Sequence, residues 1–452
     1  MKLFGLLMGC ALAAGAASND TFLIRDADVY PVTGPEMKGV SVLVQDGRIA
    51  EIGAKLTPPR GIRIVEAKGL RVYPGMIDSA TELGLAEIES VRETEDTGEL
   101  GEFMPQLRAL AAVNPASEHF PVVRVNGITS VMTFPSSGST GAGGGGGGRF
   151  GGGERQFISG QAALIHTDGW TWDDMAIKPG AAVHLIFPSM PRGGRGGGSG
   201  VPETTPAPAA VTGVAAGGAT QARQAYEAQI ASINQFFDDA RQYQKAKAAN
   251  APDFRPNLKF EAMLPVLEGR VPVAISASRA SAIHDAVQFA GKQNIKIVIL
   301  QPRDVKQAAP ELKEKNIPVI LGRVLALPEN EDDAYDSAST LPAEAYKAGV
   351  KFALGTFGNQ FVRNLPYEAA AAVAYGLPYD EALKSLTINP AQIWGVADQV
   401  GSVEKGKWAD LMITNGDPLE IQTQITHLYI KGREVELTNR QIQLYRKYLN
   451  RP

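Results

Sequence analysis

Cysteine is almost absent from this chain of 452 residues, and the single one, Cys10, lies in the first apolar segment. A mature protein that sheds that segment has no disulfide, no thiolate nucleophile and no zinc–cysteine cluster. Histidine is scarce too, at positions 119, 166, 184, 284 and 427, and no two stand at HxH or HxxxH spacing. A cationic excess is missing, since 44 Lys+Arg face 48 Asp+Glu for a formal charge of -4. With no Arg/Lys cluster interleaved with aromatics, nucleic acid is not an expected partner. Beyond the N-terminus no long apolar stretch follows, so no membrane span is expected. There is no GxSxG elbow, and Gly401 to Trp408 fails as a phosphate loop because Trp408 stands where Ser or Thr would hold magnesium.

What is present begins with an export pattern. Met1-Lys2, an apolar run from Leu3 to about Ala14 and the small residues Ala14-Gly15-Ala16-Ala17 read as a cleaved secretory signal, giving a periplasmic or secreted protein. Leu7-Met8-Gly9-Cys10 is a weaker match to a lipoprotein box. The 49 glycines and 29 prolines concentrate in two segments, Gly138 to Gly153 and Pro191 to Gly218, which read as mobile loops. Six consecutive glycines at 143–148 match a dinucleotide fingerprint trivially, without its strand–turn–helix setting.

Around these loops, short β-branched runs alternate with helical patterns. Strands are expected at 72–77, 129–134, 161–166, 182–187, 271–277, 295–301, 317–321 and 351–356, with helices at 280–293, 303–315 and 341–347. A further helix at 219–248 carries Tyr226, Ile230, Ile233, Phe237 and Ala240 on one face. Eight strands with helical or loop connections imply an α/β fold, a parallel (β/α)8 TIM-type barrel. The ends, residues 22–67 and 401–436, alternate short strands with turns such as Gln45-Asp46-Gly47, and are expected to form one small composite β-sandwich. The resulting division is 1–17 signal, 18–72 and 401–438 sandwich, 73–400 barrel with glycine-rich loops near 138–153 and 191–218, and 439–452 a C-terminal helix.

Asp46-Gly47-Arg48-Ile49, Ala67-Lys68-Gly69, Pro74-Gly75-Met76-Ile77-Asp78, Thr387-Ile388-Asn389-Pro390-Ala391 and Gly406-Lys407-Trp408-Ala409-Asp410-Leu411 occur in that order. Together they resemble the amidohydrolase superfamily, most closely its imidazolonepropionase-like branch. The resemblance implies a metal-dependent hydrolase of cyclic amides, cyclic ureas or dipeptides, with a composite sandwich beside the barrel. The same resemblance locates departures. Where the family's first strand carries two metal-binding histidines, this chain has Ala80 and Glu82; the bridging lysine's place falls on His166. The later histidine positions fall on Ser276, or alternatively Ser278, and on Gln301, and the closing Leu-Gly-Thr-Asp reads Leu354-Gly355-Thr356-Phe357. Ala, Ser and Phe cannot supply the ligands that lower the pKa of a bound water to about 7. The divalent metal, zinc for example, is therefore expected to be lost, leaving a degenerate centre in which metal-dependent hydrolysis is not expected.

Glu82 and His166 remain as catalytic candidates, Glu82 as a base and His166 either as a pocket residue or as a hydrogen-bonded core histidine. Asp78, Ser276, Ser278, Arg279, Gln301, Thr356 and Asn359 are expected to line the pocket. The acidic series Glu87, Glu89, Glu93, Glu95, Asp96, Glu99 and Glu102 lacks the register of a calcium loop and reads as a solvated lid. A small amide or dipeptide-like molecule is the expected ligand. Self-association, or pairing with an intact relative as a non-catalytic subunit, are the expected modes of assembly.

Overall fold

The computed structural model describes residues 20–88, 91–135, 156–190, 215–250, 254–328, 333–449 and 451. The export signal and most of both glycine-rich segments lie outside them. Two eight-stranded sheets organise the chain. The first joins both ends of the sequence: β1 (Phe22–Val29), β2 (Met37–Gln45), β3 (Arg48–Gly53), β4 (Arg63–Glu66) and β5 (Arg71–Pro74) meet β14 (Leu411–Thr414), β15 (Ile425–Ile430) and β16 (Arg433–Val435). The join is antiparallel between β5 and β14, with Leu411 opposite Pro74. Alternate residues such as Phe22, Ile24, Val42, Val44, Leu411 and Ile413 point inward and fill one core, so the composite sandwich expected from the alternating pattern is present.

The second sheet runs in sequence order from β6 (Met76–Thr81) through β7 (Ile128–Thr133), β8 (Ile158–His166), β9 (Ala176–Ile186), β10 (Val273–Ser276), β11 (Ile297–Leu300) and β12 (Val319–Leu321) to β13 (Phe352–Leu354). Seven of the eight expected barrel strands occur at their places, whereas the expected 72–77 straddles two strands, since 72–74 fall in β5 of the sandwich sheet and the barrel strand β6 starts at Met76; helices pack outside the barrel. The helix Ala280–Gln293 ends on a left-handed Asn294, and the helix Ser337–Ala348 on a left-handed Gly349, residues that adopt positive φ at little cost. Ile233, Phe237 and Ala240 of the helix Ala215–Ala248 are fully buried against the barrel. A second apolar cluster, including Ile77, Met132, Leu164, Ala182, Ala274, Val298 and Ile320, fills the barrel interior.

One expectation is corrected. The sheet is not uniformly parallel: β8 runs antiparallel to both β7 and β9, with Ser130 opposite His166 and Gly160 opposite His184. The connection 167–175 holds only a one-turn helix, Trp172–Met175, and is too short for the crossover of a dozen or more residues that a parallel return needs.

The seam between first and last strands is closed largely by one side chain. Asp78 accepts hydrogen bonds from the Thr356 hydroxyl (2.5 Å), the Thr356 N–H (3.1 Å) and the Ala80 N–H (3.1 Å), while Phe357 N–H donates to the Ala80 carbonyl at 2.7 Å. Gly355 lies so close to Ala80 that a Cβ there would meet the Ala80 Cβ at 3.0 Å.

Candidate active site

A small cavity opens at the end of the barrel where β6, β10, β11 and β13 terminate, the end that carries catalytic groups in barrels of this kind. Thr81, Glu82, Phe134, His184, Ser276, Leu300 and Phe357 line it. Strand parity brings them together. Ala274 pairs with His184, and Ala182 and Ala274 face the barrel interior, so His184 and Ser276, each two residues further along its strand, face inward as well. Apolar rings leave only about 20 Å³ of free space, enough for a single water.

His184 is almost fully buried, and every ring nitrogen is engaged. Nδ1 lies 2.8 Å from the Ser159 hydroxyl and 3.0 Å from the Pro135 carbonyl oxygen, and Nε2 lies 2.9 Å from Ser276 Oγ. Ser159 also donates to the Pro135 carbonyl at 3.0 Å. A carbonyl can only accept, so these contacts assign the proton to Nδ1 and leave the Nε2 lone pair for the Ser276 hydroxyl. Burial pushes the imidazole pKa down to about 4, against a smaller opposing effect of the Pro135 carbonyl, so the ring is neutral across the physiological range. Phe134 packs edge-on to the ring, with centroids 5.6 Å apart. Phe357, following β13, holds φ at +56°, an unusual conformation for a bulky side chain.

Of the residues singled out from the sequence, Glu82 and Ser276 reach this cavity. Asp78 and Thr356 are buried at the seam and bonded to each other. Burial raises the Asp78 pKa to about 7 despite the hydrogen bonds from Thr356 and Ala80. Asn359 is buried and donates to the Ala86 carbonyl. The Ser278 carbonyl receives the N–H groups of Arg303 and Asp304, Arg279 precedes the helix Ala280–Gln293 without a side-chain capping bond, and Gln301 sits at φ +52° with its N–H on the Ile320 carbonyl. None of these six lines the cavity. The residues 91–102 of the acidic series are mainly exposed, as a solvated segment requires, whereas Glu89 lies outside the described residues.

Of the two readings of His166, the structure shows the hydrogen-bonded core histidine and not the pocket residue. Because β8 is reversed, its C-terminal end lies level with Ser130, near the start of β7, whereas Glu82 follows Thr81, which pairs with Thr133 at that strand's other end. His166 is buried there, its Nε2 3.0 Å from Asp410 Oδ2, and the other oxygen of Asp410 accepts the Lys431 N–H at 2.8 Å. It ties barrel to sandwich and is remote from Glu82. His184, which was not singled out, occupies the mouth instead; its parity with Ala182 in the expected strand 182–187 was the signal available.

Comparison with known proteins agrees with this architecture. The amidohydrolase family pattern matches residues 214–435. Over 92% of the chain the fold is similar to the crystal structure of an amidohydrolase from Thermotoga maritima MSB8, with a TM-score of 0.75, 24% identity and 99% of that chain covered. The pattern covers just under half of the chain, and the likeness to the solved amidohydrolase is one of fold. Among named relatives, "Amidohydrolase tasK" of Hapsidospora irregularis is 22% identical over 92% of this chain, which spans 44% of the relative's length. An imidazolonepropionase of Porphyromonas gingivalis is 41% identical over 70 residues, covering 15% of this chain and 16% of that protein.

Proposed function

We infer that this is an exported amidohydrolase-superfamily protein whose binuclear metal centre has degenerated, and that metal-dependent hydrolysis of amide or dipeptide C–N bonds is not its reaction. The observation that carries this reading is the chemistry of the mouth. By the resemblance, Ala80, Glu82, Ser276 or alternatively Ser278, Gln301 and Phe357 take the family's ligand positions, and among the described residues no three His, Cys, Asp or Glu side chains converge. One carboxylate and one imidazole whose nitrogens are already hydrogen-bonded do not fit a divalent ion, which takes three or four N/O donors with an open position. The export assignment rests on the N-terminal sequence. An amide or dipeptide-like molecule remains the ligand class that the superfamily fold favours, and its entry requires the Phe357 ring to move.

Elemental analysis after growth and dialysis with zinc and manganese tests this reading. Substoichiometric metal, unchanged in Glu82→Gln, is expected. One or two equivalents of metal, lost in Glu82→Gln, would overturn it and call for a panel of amide and dipeptide substrates.

A further inference from the structure

With the metal ligands gone, the mouth contains a different kind of constellation. Ser276 is half-buried and lines the cavity, its Oγ 2.9 Å from the lone-pair nitrogen of His184, while the opposite nitrogen is held by the Pro135 carbonyl and Ser159. A hydroxyl at hydrogen-bond distance from an imidazole, itself oriented by a third group, is the geometric requirement for nucleophilic catalysis. The Pro135 carbonyl takes the orienting role that a carboxylate fills in a Ser-His-Asp triad.

We propose that Ser276 is the nucleophile and His184 the base of a metal-free acyl-transfer site, whose substrates are small carboxylic esters or amides. The inference rests on the reading that the metal centre is lost. Ser276 Oγ attacks the acyl carbon as its proton passes to His184 Nε2. The bond to the leaving alkoxide or amine breaks, and that group takes the proton from Nε2. A water molecule then gives its proton to Nε2 and attacks the acyl-serine; Ser276 leaves and recovers the proton, releasing the carboxylic acid. Ser159 and Pro135 are positioning groups. Thr81 and Glu82 from the end of β6, Phe134, Ser159 of β8, Leu300 of β11 and Phe357 surround the pair, and of these only Glu82 is titratable.

The test is covalent labelling of the full chain by a fluorophosphonate, read by peptide mass spectrometry in the presence of a chelator. An adduct on Ser276 is expected, absent in Ser276→Ala and formed at least about 100-fold more slowly in His184→Gln, the usual scale of general-base assistance. The labelling rate is expected to stay level from pH 8 to pH 5 and to fall only near the low pKa of His184, whereas a solvated imidazole would lose half its rate near pH 6.5. Absence of an adduct on the wild-type protein, or an adduct confined to another residue, overturns the proposal whatever the variants do. Labelling of Ser276 that requires added metal would instead overturn the metal-free reading of the site.

Discussion

Two buried groups in the barrel respond to the same low-dielectric surroundings with opposite shifts. Burial lowers the His184 pKa and raises that of Asp78 to about 7, because in both cases the charged form is the one desolvated. A carboxyl whose folded pKa lies above its unfolded value binds its proton more tightly in the native state. Its contribution to stability is complete below about pH 4 and is lost as the pH rises to about 7, amounting to on the order of 4 kcal/mol at roughly 1.4 kcal/mol per unit. Asp78→Asn retains an acceptor for both N–H groups and removes the titration. Urea midpoints measured from pH 4 to pH 8 should therefore decline less in Asp78→Asn than in the wild type. Phe357→Ala removes a ring from the cavity wall, and a several-fold faster reaction of Ser276 with the fluorophosphonate is expected, measured by adduct formation over time. Glu82 was legible because it follows the recognisable Pro74–Asp78 motif of β6, and Ser276 because it ends an expected strand at the place of a family histidine. His184 was not, because no neighbouring residue in the sequence shares its chemistry; its partners Ser159, Pro135 and Ser276 come from other segments.

At the scale of elements, apolar runs identified seven barrel strands and ran the first together with β5 of the sandwich; they did not give the direction of β8, since a half-buried pattern reads the same whichever way the strand runs. The reversal of β8 sets His166 at the end of the barrel away from the mouth, where it is a hydrogen-bonded core histidine. Its partner Asp410 belongs to the motif Ala409-Asp410-Leu411, and the contact between them is one of the places where sandwich meets barrel. His166→Ala leaves a buried carboxylate oxygen without its side-chain donor and is expected to cost about 1–3 kcal/mol in urea unfolding, with no loss of Ser276 labelling. Gly75, the single residue between β5 and β6, gives a second test. A Cβ at this position would lie 2.1 Å from Thr129 Oγ1, so Gly75→Ala must displace Thr129 and should destabilise by about 1–3 kcal/mol in the same measurement. The glycine of Pro74-Gly75 is thus explained by packing where one domain passes into the other.

For the molecule as a whole, the two-part architecture was legible because turn-punctuated alternation at both ends differs in period from the strand–helix alternation between them. The terminal helix Arg440–Leu449 contains no buried residue and joins neither hydrophobic core. Removal of residues 440–452 is expected to shift the thermal midpoint by less than about 2 °C, the range of a surface change in a protein of this size. The pairing of β5 with β14 also has a consequence for the order of assembly. During synthesis, β1 to β5 emerge long before Leu411–Val435, the segment that completes their sheet. Until then β5 presents an unpaired edge, and closure of the sandwich carries the loop entropy of the entire barrel between its halves. The last strands made therefore determine when the first ones become safe from association with other chains, so a chain that stops short of β14 should aggregate even where its barrel sequence is complete.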